Sequence, residues 1–217
     1  MRYYPDSKVE LQGFVARHYD TLLNVATLGL YGSFIANAVA AVGIQPADKI
    51  IDLGAGSGRN ALLMGEYLDG KRGKIVGLEI SDAMIANFRT NTKNSPNIDV
   101  IHQRIDQPFD LGEAFDKAFI AFVIHGFPHP VRETIIQNVR NNLRPGGEFA
   151  ILDFNEFTIS EMPFWVRIPF TTIECKYAFD FVERDWKEIL SHHGFGDFTE
   201  TTFMKKYIRL LKAKNLG

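Results

Sequence analysis

The chain has 217 residues, 46% of them hydrophobic, and its 24 Lys+Arg against 26 Asp+Glu leave a formal net charge of -2. That size supports one sizeable core, so a single domain over residues 1–217 is expected, and the near-neutral balance argues against a general nucleic-acid binder. Cys175 is the only cysteine, which excludes an internal disulfide and a thiolate cluster, and no metal site is expected.

At the amino end, Met1-Arg2-Tyr3-Tyr4-Pro5-Asp6 lacks the apolar core of a signal peptide, and a cytoplasmic location is the expectation. Thr21 to Ala47 carries no charged residue. Asn24, Thr27, Gly29, Gly32, Ser33, Asn37 and Gln45 interrupt its apolar run and Pro46 follows, so it reads as a largely buried helix within an N-terminal helical cap over 1–47. A shallow peripheral membrane contact is the other reading of this stretch.

Ile50-Ile51-Asp52-Leu53-Gly54-Ala55-Gly56-Ser57-Gly58-Arg59-Asn60 follows. A strand over Lys49–Leu53 carries an acid near its end, glycines recur at every second position, and a helix over Asn60–Leu68 begins. Glycine lacks a Cβ, so such a turn adopts positive φ and admits a ligand close to the backbone, while the helix start offers unpaired N–H groups. A nucleotide-like ligand is expected there. The dinucleotide pattern G-x-G-x-x-G/A would need a small residue at position 59, which is Arg59, so a pyrophosphate is not indicated. A second strand, Lys74–Glu79, ends in a carboxylate placed to accept hydrogen bonds from both hydroxyls of a ribose.

Ser81-Asp82 predicts the N-cap of a helix over Asp82–Thr92. Strands are expected at Asp99–Gln103, Ala118–Phe122 and Glu148–Phe154, with a helix over Pro130–Leu143 and a helix stop and turn at Pro145-Gly146-Gly147. Phe157, Phe164, Trp165, Phe170, Tyr177, Phe179 and Phe181 crowd the region just past the fifth strand's carboxyl end. Ligands of open α/β sheets bind outside those ends, so an insertion over 155–182 is expected to cover the site and wall an apolar pocket. A helix at Glu183–Ser191 and strands at Phe198–Phe203 and Tyr207–Ala213 complete an alternating order, which predicts a doubly wound, mostly parallel α/β sheet. Lys205, Lys206, Arg209, Lys212 and Lys214 read as a solvent-facing strand edge, with RNA or anionic lipid contact as the other reading, and His192-His193 as a solvated helix end rather than a metal site, since no third ligand is patterned nearby.

The G-x-G-x-G turn behind Asp52, followed one βαβ unit later by Glu79, resembles class I S-adenosylmethionine-dependent methyltransferases. Further pieces are similar to the ubiquinone/menaquinone biosynthesis C-methyltransferase branch: Ala16-Arg17-His18-Tyr19-Asp20 with Leu22-Leu23-Asn24, Leu143-Arg144-Pro145-Gly146-Gly147, and Leu152-Asp153-Phe154. Phe122-Val123-Ile124-His125-Gly126-Phe127 sits where that branch has Phe-Gly-Leu/Ile-Arg-Asn, so His125 and Gly126 replace its Arg-Asn pair. The region after Phe154 is shorter and lacks that branch's tyrosine-rich substrate segment.

The resemblance implies a Rossmann-like, seven-stranded sheet closed by a carboxyl-terminal antiparallel hairpin, with S-adenosyl-L-methionine as donor and S-adenosyl-L-homocysteine as product. It assigns Asp52, Gly54, Ala55, Gly56, Ser57, Gly58 and Asn60 to the donor's amino-acid end and turn, Glu79 to its ribose, and Ile80 to adenine. Gln103, with Arg104 and Ile105 behind it, stands where an acid usually meets the adenine amino group, and Asp106 is the alternative there. Tyr19 and Phe122 complete the cofactor set.

The acceptor is expected to be a small aromatic or lipophilic molecule. His125, at the carboxyl edge after the fourth strand, is the first candidate for a general base, with a loop-backbone hydrogen bond or packing on the cofactor as its other reading. Tyr19 is the second catalytic candidate, and His129, Asn155 and Glu156 follow. Methylation of RNA or protein, a non-catalytic S-adenosylmethionine-binding module and a nicotinamide oxidoreductase are the competing functions. Nothing in the sequence indicates an oligomeric state.

Overall fold

The computed structural model describes residue 7 and residues 30–217. The stretch from Phe14 to Gly29, Tyr19 with it, lies outside the described residues. The described elements are α1 (Leu30–Val42), β1 (Lys49–Leu53), α2 (Arg59–Gly65), β2 (Lys74–Glu79), α3 (Asp82–Asn91), β3 (Ile98–His102), β4 (Phe115–Ala121), α4 (His129–Asn142) and β5 (Leu143–Phe154). After them come α5 (Phe164–Ile173), α6 (Lys176–Val182), α7 (Trp186–His192), β6 (Phe195–Phe203) and β7 (Ile208–Asn215). Short 3₁₀ turns lie at Ile124–Gly126, Ile159–Glu161 and Met204–Lys206.

The sheet has seven strands in the order β3-β2-β1-β4-β5-β7-β6. The first five pair in parallel, and β7 runs antiparallel to both β5 and β6. From β1 the chain crosses to β2 on one side, and later elements build outward through β4 on the other. Order therefore reverses between β1 and β4, and a crevice opens at the carboxyl ends of these strands, where open α/β sheets take their ligands.

Side-chain alternation along the strands divides the core in two. Ile50, Phe119, Ala150, Leu152 and Leu210 face one cluster with Ile35, Ala38, Val39 and Val42 of α1, whose spacing is that of one helical face. Ile51, Leu53, Ala118, Ile120, Phe149, Ile151 and Leu211 face the other, with Ile135, Ile136 and Val139 of α4 and Trp186 of α7. So α1 packs on the sheet as a buried amphipathic helix, and no helix among the described residues is long and apolar enough to cross a membrane.

Several boundaries differ from expectation for local reasons. Pro145-Gly146-Gly147 lies inside β5, because pairing with β4 runs at Phe115↔Leu143, breaks, and resumes at Lys117↔Glu148. The segment is a bulge, with Gly146 at φ 74, rather than a turn before the strand. Strand β4 starts at Phe115 and stops at Ala121 because Phe122 takes a left-handed backbone. Ser81 caps α3 as predicted, its hydroxyl accepting from Met84 N at 3.4 Å. For α7 the cap is Asp185, which accepts from Glu188 N at 2.9 Å, so that helix begins at Trp186 rather than Glu183.

The basic run near the carboxyl end is not a solvent-facing edge. Strand β7 is interior, and Arg209, 5% exposed, bonds Glu156 at 2.8 Å and Glu200 at 3.4 Å. Lys212 donates to the Val42 carbonyl and Lys214 to Asp197.

Candidate functional site

Strand β1 delivers Asp52 to the sheet's centre, and the glycine turn begins two residues later. Gly54 and Ala55 donate to the Leu78 carbonyl at 2.9 and 3.1 Å, which ties the turn to the end of β2. Gly54, Gly56 and Gly58 all have positive φ, at 68°, 55° and 83°. Their surroundings separate their jobs. A Cβ on Gly54 would meet Val123 at 2.8 Å and one on Gly58 would meet Phe88 at 2.8 Å, whereas one on Gly56 would meet nothing within 4 Å. Gly54 and Gly58 allow close packing; Gly56 borders open space.

Asp52 is 1% exposed, and its Oδ2 has no hydrogen-bond partner among the described residues. Burial, reinforced by the neighbouring Glu79 charge, pushes its carboxyl up to about 7. A buried acid with an unmet oxygen is costly unless a donor or cation arrives to meet it. Glu79, at the tip of β2, accepts from Gly56 N at 3.0 Å through Oε2 and from Ile80 N and Ser81 N at 2.8 Å each through Oε1. Two carboxylate oxygens offer about four acceptor positions, so room remains for a hydroxyl.

At the end of β3, Gln103 donates its amide to the Arg104 carbonyl at 2.9 Å, leaving its oxygen as an acceptor. Asp106, the alternative adenine partner, is buried and held by Arg104 at 3.0 and 2.6 Å. Ile105 is buried in the main core and Ile80 half-exposed, so of these only Ile80 retains surface for a ring. Ser57 is buried within the turn and Asn60 is half-buried in the first turn of α2.

On the other side of the crevice, Phe122 holds φ 54, a left-handed backbone that costs a non-glycine residue on the order of 1–2 kcal/mol. Its N–H donates to the Leu152 carbonyl at 2.9 Å, and its ring lies 6.1 Å from Phe34 and 6.3 Å from Phe154. The kink feeds the 3₁₀ turn carrying His125. This imidazole is 7% exposed. Its Nδ1 lies 2.8 Å from Asp153 Oδ1 on β5, and its Nε2 lies 3.6 Å from Glu174 Oε2 on the link between α5 and α6. Burial alone would lower its pKa; Asp153, by charge and hydrogen bond, and then Glu174 outweigh that, and the net direction is upward from 6.5. Asp153 Oδ1 also accepts from Phe154 N at 2.8 Å, which fixes its plane.

Residues 50–147 match the family described as Methyltransferase domain. That match and the seven-stranded sheet make the chain similar to class I S-adenosylmethionine-dependent methyltransferases. The chain is 28% identical over 154 residues to the 2-phytyl-1,4-naphtoquinone methyltransferase of Synechococcus elongatus, covering 70% of this chain. It spans 65% of that relative's length, just under two thirds. A methyltransferase of Synechocystis is 26% identical over 200 residues, covering 90% of each chain. Among solved structures, a SAM-dependent methyltransferase from Aquifex aeolicus superposes with a TM-score of 0.63 at 17% identity, over 83% of this chain and 89% of its own.

The sequence overlooked two residues that the methyltransferase fold brings to His125, Asp153 and Glu174; an acid at a strand tip, Asp153, was the available signal for the first. It also overlooked Arg132. This guanidinium, 0% exposed on α4, donates to the carbonyls of Ile124 and His125 at 3.3 and 3.0 Å and to that of Tyr177. It pairs with Asp180 at 2.6 Å and stacks over Phe181 and Trp186. One side chain thus joins the His125 turn to α6.

Three secondary candidates have structural work elsewhere. Glu156 accepts from Trp186 N and Arg209, Asn155 donates to the Lys206 carbonyl, and His129 lies 3.9 Å from Glu133. The aromatics of the insertion also divide. Phe170 and Phe181 are buried; Phe157, Tyr177 and Phe179 pack partly buried around them, and Phe170 meets Phe154 edge-on at 5.1 Å. Phe164 and Trp165 are 63% exposed and wall nothing in this conformation.

Proposed function

We propose that the chain transfers a methyl group from S-adenosylmethionine to a small aromatic or lipophilic acceptor. The observation that carries this reading is the buried, unsatisfied Asp52 carboxylate beside the one glycine of the turn with open space at its Cα. A donor bearing an ammonium and a ribose matches that cradle better than a pyrophosphate, which would meet Asp52 and Glu79 as like charges.

When bound, S-adenosylmethionine supplies an electrophilic methyl on a sulfonium. The residues of this chain then bind, orient and exclude water. Asp52 accepts from the ammonium or from the groups next to it, Gly56 lets the amino-acid end lie on the backbone, and Glu79 accepts from the ribose. Ile80 and the Gln103 oxygen serve the adenine. Facing them, His125 takes the acceptor's hydroxyl proton at Nε2 while Asp153 holds Nδ1–H, so that the imidazole presents one basic lone pair. The ring of Phe154, 5.1 Å from the imidazole, and its neighbours Phe122 and Phe170 give a flat acceptor an apolar wall. The quinone-methylating relative makes lipophilic quinone precursors the first acceptors to try.

Calorimetry tests the reading first: S-adenosylmethionine and S-adenosylhomocysteine should bind to the wild type, and the Asp52→Asn variant should bind each at least about tenfold more weakly. Methyl transfer to a panel of phenols and hydroquinones, followed by mass spectrometry, tests the acceptor class. A dinucleotide bound in place of the methyl donor would overturn the proposal.

A further inference from the structure

We propose that α5 docks on a lipid bilayer, lying in the headgroup layer with Phe164, Trp165 and Ile168 inserted. Phe164 and Trp165 are each 63% exposed and Ile168 59%. At about 3.6 residues per turn these three positions share a stripe roughly 100° wide. Phe170 lies on the opposite side of the helix, buried, and meets Phe154 and Phe157 edge-on at 5.1 and 5.5 Å. A helix on a protein surface turns polar residues outward, whereas α5 is apolar on both sides. Phe164 and Trp165 pack edge-to-face on each other at 5.1 Å.

The polar groups of the outward face suit a dry medium. Thr171 and Thr172 are exposed, yet their hydroxyls return to the helix, Thr171 Oγ1 donating to the Arg167 carbonyl at 2.9 Å and Thr172 Oγ1 to that of Ile168 at 2.7 Å. Back-bonding of this kind relieves a hydroxyl of its need for water, and entry into an apolar layer then costs it little. Arg167 is the one charged residue of α5, and its long stem lets the guanidinium stay at phosphate level while the stripe beside it sinks. The helix has 10 residues and a length of about 15 Å, roughly half of a hydrocarbon core, so it lies in the interface plane and does not cross.

Charge and position favour a bilayer over a protein partner. No acid lies in α5, and of the two that flank it in sequence Glu161 is exposed while Glu174 faces His125. The turn between β6 and β7 supplies a second anchor at the same end of the sheet, since Ile208 pairs with both Phe154 and Phe203. It exposes Met204, at 50%, and Lys206, on left-handed backbone of φ 45 and 75, strain that persists where a surface has work to do. Phe157 joins this turn to the insertion, its ring 5.3 Å from Tyr207 and 5.5 Å from Phe170. Aromatic residues with an exposed Arg and Lys are the composition that anionic headgroups attract and an interface holds. Docked so, a single helix separates the bilayer from the Phe154 ring beside His125.

Tryptophan emission of the full chain, titrated with phosphatidylcholine vesicles with and without phosphatidylglycerol, tests the proposal. Trp186 is buried, so the exposed Trp165 reports: its emission should shift to the blue and be quenched by brominated acyl chains, more strongly with phosphatidylglycerol present. Replacing Phe164, Trp165 and Ile168 together by Ser should weaken co-sedimentation with vesicles at least about tenfold at an unchanged melting temperature. Trp165→Phe should lose the spectral change and still co-sediment, and Arg167→Gln should lose only part of the phosphatidylglycerol effect. Absence of both the blue shift and co-sedimentation in the wild type, or co-sedimentation untouched in the triple variant, would overturn the proposal. So would self-association of the wild type in sedimentation velocity that the triple variant lacks, which would make a second copy the occupant. These readouts need neither methyl donor nor acceptor, so they stand or fall apart from the transfer reaction.

Discussion

Gly56 donates its backbone N–H to Glu79 Oε2 over 3.0 Å, joining the glycine turn after β1 to the tip of β2. The two halves of the donor site are thus a single unit before any ligand arrives. A carboxylate that accepts three backbone N–H groups has little freedom of its own. Replacing it by Gln removes a charge-assisted acceptor and presents an amide NH₂ to an N–H group. Glu79→Gln should lose both donor affinity and turn order, seen as weaker calorimetric binding together with faster amide exchange at Gly56, Ile80 and Ser81.

Asp52 makes stability depend on pH in an unusual direction for an acid. Its folded value, about 7, lies above the ordinary value of 3.8, so the folded state holds a proton that the unfolded state has lost in that window. Stability falls as pH rises from about 4 to 7, by an amount on the order of 4 kcal/mol if the whole shift is expressed. Thermal unfolding should show Asp52→Asn equal to the wild type near pH 4 and more stable than it above pH 7. Binding of a cationic donor should reverse part of the loss, and its affinity in the wild type should rise through the same window.

The histidine contributes a second term of the same sign. Its raised pKa stabilises the fold below the unfolded value of 6.5, and that contribution is lost as pH rises through the higher folded value. Catalysis needs the neutral ring, so kcat/KM should climb on the alkaline side of 6.5. Asp153→Asn should move that limb to lower pH. His125→Gln should cut kcat about 10²–10⁴-fold at unchanged donor affinity.

Three alanine substitutions separate packing from binding in the glycine turn. Gly54→Ala and Gly58→Ala each force a Cβ to 2.8 Å from Val123 or Phe88, on a backbone of positive φ. Both should lower the melting temperature sharply. Gly56→Ala meets no neighbour, and its penalty is the left-handed backbone alone, on the order of 1–2 kcal/mol. It should fold and yet lose donor binding. Paired melting and calorimetry read the two effects apart.

Arg132→Met leaves three carbonyls, those of Ile124, His125 and Tyr177, without their donor, while Asp180 keeps Arg184. Each buried carbonyl left without a donor typically costs about 1–3 kcal/mol. Denaturant unfolding should show a loss of that order, with the acid limb of the rate profile broadened because the His125 turn is no longer anchored.

The geometry around the glycine turn was readable because it is local: a strand, alternating glycines and a second strand tip follow one another within a single βαβ unit, so Asp52, Gly56 and Glu79 could be named as candidates. The acceptor side is assembled from remote segments. His125 and Asp153 are 28 residues apart and meet only because β4 and β5 pair in parallel. Glu174 arrives on a helical insertion whose aromatics reveal burial but not direction. The misread basic run has the same origin: Arg209 looks exposed in a lysine-rich stretch, yet β7 lies inside the sheet, where Glu156 and Glu200 neutralise it.

That interior position of β7 also imposes an order of assembly. Strand β6 is synthesised first but touches no other strand except β7, and β7 alone connects it to β5. On the ribosome, β6 therefore waits as an unpaired ribbon until Ile208–Asn215 has emerged and seated against β5. The half of the sheet that carries Asp153 is completed last, and the half that carries Asp52 and Glu79 can be in place before β5, which holds the partner of His125, has its final neighbour.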